Sequence, residues 1–133
     1  MIEMNLATAE RIAHAAMAKA AEHGWKMTVS VVDEAGRLVL TMRGDGTGFF
    51  TPETSRAKAV AAAAFKTPTS KLAEMHKVNP FWSAVPEITG GTALPSGGAV
   101  PVIVNGRVIG GVGCGGGTAD EDEQCAAIGA AAS

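Results

Sequence analysis

The sequence predicts an α+β domain in which an antiparallel sheet is covered by helices. Three observations carry this. Asn105-Gly106 separates two apolar runs, Val100 to Val104 and Arg107 to Val112. Asp33-Glu34-Ala35-Gly36 likewise separates two strand-like runs, Trp25 to Val32 and Arg37 to Arg43. Helical patterns precede, separate and follow these two hairpins.

The first helix is expected from Asn5 to about His23. Leu6, Ala9, Ile12, Ala13, Ala16, Met17 and Ala20 recur at helical spacing, opposite Glu10, Arg11, Lys19 and Glu22. Gly24 supplies the stop. In the first strand Met27, Val29 and Val31 share one face, and Thr28, Ser30 and Val32 the other. After the second strand, Gly44-Asp45-Gly46-Thr47-Gly48 reads as a flexible loop. Thr51-Pro52-Glu53 then opens a helix, with Thr51 as N-cap and proline at the first helical position. That helix continues through the alanine-rich segment to Phe65. A short helix from about Ser70 to Lys77 follows, and a weak strand is expected over Glu87 to Ala93. At the second hairpin, Asn-Gly tolerates the two positive φ angles of a type I′ turn, which pairs Val104 with Arg107 and Val102 with Ile109. Finally, Thr118 and Glu121 have capping-box spacing and open the terminal helix.

At 133 residues the chain is one domain, residues 1–133, large enough to bury a core without disulfide staples. A net charge of −2 with no basic stripe argues against nucleic acid. No apolar run approaches the ~20 residues of a membrane span, and Met1-Ile2-Glu3-Met4 lacks a signal-peptide pattern. A cytoplasmic protein is expected. Cys114 and Cys125 form neither a disulfide framework nor a Cys-x-x-Cys motif. Gly111-x-Gly113-x-x-Gly116 matches a dinucleotide fingerprint by letter. The match is spurious, because the 17 residues after Gly116 hold no parallel strand and no ribose-binding acid.

The run Pro95 to Glu123 is the expected ligand region, since glycine at this density lets backbone approach another group closely. It ends in a strand, a glycine loop and a helix start, an anion-binding geometry. Asp120, Glu121, Asp122 and Glu123 oppose an anion there; they serve the helix dipole, or Asp122 and Glu123 turn back toward the loop.

In order, Val31-Val32-Asp33-x-x-Gly36, Arg43-x-Asp45, Ser55-Arg56-Ala57-Lys58-Ala59-Val60-Ala61-Ala62, Gly97-Gly98-x-x-Pro101-Val102, Gly110-Gly111-Val112-Gly113-Cys114-Gly115-Gly116 and Asp120-x-Asp122-Glu123 resemble the GlcG/HbpS family, which includes the PduO C-terminal domain. The resemblance covers nearly the whole chain. It implies a profilin-like or roadblock-like fold around a five-stranded antiparallel sheet, a compact homo-oligomer, and a pocket near subunit contacts. Some members bind heme, and others belong to catabolic pathways for small oxygenated molecules. Members commonly carry serine where this chain has Cys114.

Each candidate has two readings. Arg43, with Asp45, grips a carboxylate through its planar fork or forms a surface ion pair. Lys58 is a partly desolvated base or a lysine whose stem covers apolar surface. Glu123 is the second proton carrier, and Asp122 a ligand contact. Gly97, Gly98, Gly115 and Gly116 present backbone amides to the ligand. Cys114, shielded only by glycines, is expected as a pocket-lining thiol, and Cys125 as core. His14 and His23 are read as surface or capping residues. His76, ahead of Phe81-Trp82, is the candidate axial ligand for heme, or else a solvated residue. No spacing suggests a metal triad.

These candidates support three functions. One is a heme or small-ligand binding protein. The second is a small lyase, hydratase or isomerase acting on an oxygenated carboxylic acid through Arg43, Lys58 and Glu123. The third is a non-catalytic assembly or regulatory subunit.

Overall fold

The computed structural model describes residues 2–133. Its elements are α1 (Leu6–Glu22), β1 (Thr28–Asp33), β2 (Leu38–Met42), α2 (Thr51–Phe65), α3 (Thr69–Val78), α4 (Phe81–Ile88), β3 (Ala99–Val104), β4 (Arg107–Gly115) and α5 (Ala119–Ala131). The sheet is antiparallel in the order β2-β1-β4-β3. The expected α+β class therefore stands, but the sheet has four strands rather than five. Glu87 to Ala93 is not a strand. Its first residues complete α4, whose Trp82 and Val85 bury at helical spacing, and the chain then leaves through Gly90 and Gly91 at positive φ.

Local chemistry explains most boundaries. Asn5 Oδ1 accepts from the Thr8 amide at 2.9 Å and starts α1. At the other end Gly24 N–H donates to Ala21 O and Trp25 N–H to Ala20 O, the bond pair of a Schellman motif. Thr118 and Glu121 make both bonds of the capping box on α5. In α2 the cap position falls on Phe50 rather than Thr51, and no side chain caps it. The Thr51 hydroxyl instead lies 2.8 Å from Gly48 O and 2.9 Å from Thr28 Oγ1, so tertiary bonding takes it from the local role.

Asn105 (φ 52°) and Gly106 (φ 76°) form the expected tight turn, and Val104 faces Arg107. A bulge between Val102 and Ile103 then shifts the ladder, so Val102 pairs with Gly110 instead of Ile109.

The two sheet faces differ in chemistry. Val29, Val31, Val112 and Cys114 join the core formed with Ala9, Ile12, Ala13 and Ala16 of α1 and with Cys125 and Ala126 of α5. The opposite face presents Thr28 and Ser30 from β1 and Gly111 and Gly113 from β4 to α2. A Cβ on Gly111 would strike the Ala59 carbonyl, and one on Gly113 the Ser55 carbonyl. These glycines let the helix backbone lie directly on the sheet. Hydroxyl pairs fill the same layer, with Ser30 Oγ 2.7 Å from Ser55 Oγ and 2.8 Å from Thr41 Oγ1. Outside α2, Leu72, Trp82, Val85 and Ala93 form a satellite cluster with Ala61 that attaches α3 and α4. No helix among the described residues is long and apolar enough to cross a membrane.

Candidate functional site

Consecutive residues on the first turns of α5 hold the glycine loop from two sides. Asp122 Oδ2 lies 3.2 Å from Lys58 Nζ, and Asp122 Oδ1 accepts from Gly117 N–H at 2.9 Å. Lys58 also donates to Gly97 O at 3.3 Å. Lys58 is 6 % exposed and Asp122 4 %, so the pair is withdrawn from water. Burial pushes the Asp122 carboxyl above its ordinary value, outweighing the pull of Lys58 and of the Gly117 amide. Gly98, at φ 130°, passes so close that a side chain there would collide with Lys58 Nζ.

Glu123 faces outward from the same turn. Its Oε1 accepts from Ser70 N–H at 2.9 Å and from Gly98 N–H at 3.3 Å, while Oε2 accepts from Ser70 Oγ at 2.5 Å. The carboxylate thus satisfies an otherwise orphaned amide in the first turn of α3 and sits at the positive end of its dipole. Ser70, Ala73, Gly97, Ala119, Asp120 and Glu123 border a recess of about 320 Å³ between α3 and α5.

A second recess, about 290 Å³, adjoins it through Ala73 and lies where α3 meets α4. Trp82, Pro86, Leu94 and Pro95 make its walls largely apolar, and His76 and Ser83 are its paired polar groups. His76 Nε2 lies 2.7 Å from Ser83 Oγ. Trp82 is fixed from behind by an edge-on contact with Phe65, ring centres 4.8 Å apart.

Other expected site residues fall elsewhere. Arg43 and Asp45 are exposed, and no hydrogen bond or ion pair joins either to the other or to Lys58, Asp122 or Glu123 among the described residues. Cys114 is not a pocket-lining thiol. It alternates onto the α1/α5 face of β4, is fully buried, and its N–H donates to Gly98 O. Burial pushes its thiol well up, and that of Cys125 up to about 11. Both thiols are therefore poor nucleophiles. Gly115 is buried and paired with Thr28, and a Cβ on Gly116 would crowd Lys26 O at 2.5 Å. His14 is exposed on α1, and His23 caps its end while stacking on Trp25 at 4.3 Å. No group of three or more His, Cys, Asp or Glu side chains among the described residues is arranged to hold a metal ion.

Ser70, Ser83 and Gly117 were not anticipated from sequence. Each acts across the fold or in a turn whose partner is fixed by packing, so only the proline at Pro68, just before Thr69 and Ser70, hints at Ser70.

Against known proteins, residues 4–131 match the family model described as "Haem degrading protein HbpS-like". A curated relative, the uncharacterized 15.0 kDa protein in the dhaT-dhaS intergenic region of Citrobacter freundii, is 32 % identical over 119 residues. The match covers 90 % of this chain and 84 % of that one. Among solved structures, a double mutant of Streptomyces reticuli HbpS superposes with a TM-score of 0.88 at 34 % identity, covering 98 % of this chain and 87 % of that one. The PduOC:heme complex superposes with a TM-score of 0.87 at 26 % identity, covering 99 % and 96 %.

Proposed function

The chain belongs to the GlcG/HbpS family, and on that premise we propose that it is a small-ligand-binding protein whose ligand is heme. The observation that carries this reading is His76 beside an apolar recess walled by Trp82, Pro86, Leu94 and Pro95. A flat apolar ligand requires such walls and one convergent donor, and imidazole is a common axial ligand of heme iron. The donor set fits: His76 is exposed, and among the described residues no ion pair engages it. When bound, heme supplies an iron centre open to redox and oxygen chemistry.

The recess, about 290 Å³, is at the small end of the ~300–1,000 Å³ typical of ligand pockets. A second surface must therefore complete it. Met75, Val78, Phe81 and Ile88 are exposed on the same two helices and give a neighbouring copy an apolar face to cover. This favours a homo-oligomer with the site at a subunit contact. Two unpaired buried cysteines suit a reducing compartment, the cytoplasm.

The carboxylic-acid enzyme reading draws less from the geometry. Lys58 is neutralised by Asp122, Glu123 is spent on Ser70 and Gly98, and Arg43 joins neither. Of the amides expected to meet a ligand, Gly98 N–H is engaged by Glu123.

The test is a hemin titration followed in the Soret band at defined subunit stoichiometry. Saturable binding that weakens in His76→Ala is expected. Binding that does not saturate, or that His76→Ala leaves unchanged, overturns the reading.

A further inference from the structure

We infer that Ser83 is the positioning residue for His76, holding Nε2 so that Nδ1 is the nitrogen left to meet the ligand. The inference rests on the heme reading and specifies the chemistry of that same site.

The bond between His76 Nε2 and Ser83 Oγ, 2.7 Å, is the only direct hydrogen bond between α3 and α4 among the described residues. Ser83 is not free to drift. Its own N–H donates to Pro80 O, and the preceding turn is tied by Trp82 N–H to Asn79 O and by Phe81 N–H to Asn79 Oδ1 at 3.1 Å. The two-residue Asn79-Pro80 connection thus places the hydroxyl at a fixed point over the last turn of α3.

In a neutral imidazole one ring nitrogen carries the proton and the other a lone pair. The hydrogen bond made by one nitrogen sets which of them coordinates. Ser83 Oγ can accept from Nε2–H, which leaves the Nδ1 lone pair as the donor. Whether Ser83 Oγ accepts from Nε2–H or donates to Nε2, Nε2 is the engaged nitrogen, and among the described residues no other side chain is hydrogen-bonded to His76. The consequence is specific. Coordination through Nε2 requires the α3–α4 bond to break, whereas coordination through Nδ1 keeps it.

The experiment uses the full chain and zinc protoporphyrin, a diamagnetic probe, with the His76 ring nitrogens read by long-range proton–nitrogen NMR. The expected result is coordination at Nδ1 with Nε2 protonated. Ser83→Ala should then lower porphyrin affinity by about tenfold and redistribute coordination toward Nε2, while Ser83→Thr, which keeps the hydroxyl, restores both. Ser83 is exposed, and far-ultraviolet circular dichroism verifies that both variants stay folded. Coordination at Nε2 in the wild-type chain overturns the inference, as does a Ser83→Ala variant with unchanged affinity and coordination. Porphyrin binding that ignores His76→Ala overturns the heme reading itself, a result separate from the choice of nitrogen.

Discussion

Lys58 and Asp122, 64 positions apart in the chain, meet as a buried ion pair with Nζ 3.2 Å from Oδ2. The pair joins α2 to the start of α5, and its further bonds to Gly97 O and Gly117 N–H tie down both glycine segments beside it. Breaking such a pair strands a charge in a dry site. Asp122→Ala should therefore lower the free energy of unfolding by about 3–5 kcal/mol, measured by urea denaturation. Replacing both partners, Lys58→Met with Asp122→Leu, should cost less than the single change, because no charge is left unpaired. Equal losses would show that the attraction between the two groups is unimportant.

The same carboxyl predicts a pH dependence. Its folded value is raised above the ordinary 3.8, chiefly by burial. In the pH window between the two values the folded chain keeps a proton that the unfolded chain has already released, and above that window the carboxylate pairs with Lys58. The stabilisation from this group is full below pH 3.8 and is lost as pH rises to the folded value. Relative to Asp122→Asn, the wild-type chain should lose stability with rising pH across that window. A difference that stays flat with pH would show that burial does not dominate at this site.

Features written in neighbouring residues were legible in the sequence. Asn105-Gly106, the Thr118–Glu121 box and the Asn5 and Gly24 ends all depend on bonds that span five positions or fewer. The strand expected over Glu87 to Ala93, where none forms, shows the limit. Glu87 to Ala93 has no helical pattern of its own, and α4 is held by Trp82 and Val85 meeting Leu72 and Ala61, a tertiary fact. The glycine-rich strand was misread for a related reason. Glycine density signalled close backbone approach, but what approaches Gly111 and Gly113 is α2, not a ligand. Cys114 followed the same error: in a strand its neighbours in sequence face the other way, so flanking glycines say nothing about its own shielding. The site residues were harder still, since Glu123 finds Ser70 at a separation of 53 positions.

Gly113 tests the helix-on-sheet account directly. Gly113→Ala should force α2 away from β4 through the Ser55 carbonyl and cost about 1–3 kcal/mol or more in unfolding free energy. Gly48→Ala is the control, because its Cβ would find only Thr51 Cγ2 at 3.9 Å. It should change stability by no more than about 0.5 kcal/mol. Similar costs at both positions would mean that glycine is needed on β4 for some reason other than this contact.

Glu123 joins α3 to α5 and borders the recess between them, which adjoins the His76 recess through Ala73. Removing its carboxylate in Glu123→Ala frees the Ser70 amide and hydroxyl together, and leaves the N-terminal turn of α3 with no side-chain cap. A loss of about 0.5–2 kcal/mol is expected, as for other helix-start caps. The loss should be local: amide hydrogen exchange should quicken at the first turn of α3 and stay slow along β1 and β4, whose ladder does not involve Glu123. Glu123→Gln should restore part of the protection, since an amide oxygen can still accept from Ser70 N–H but lacks the charge that favours a helix N-terminus. A proton-transfer role alone would leave α3 exchange untouched in both variants, so unchanged exchange would return Glu123 to the list of candidate bases and remove it from the support of the His76 recess.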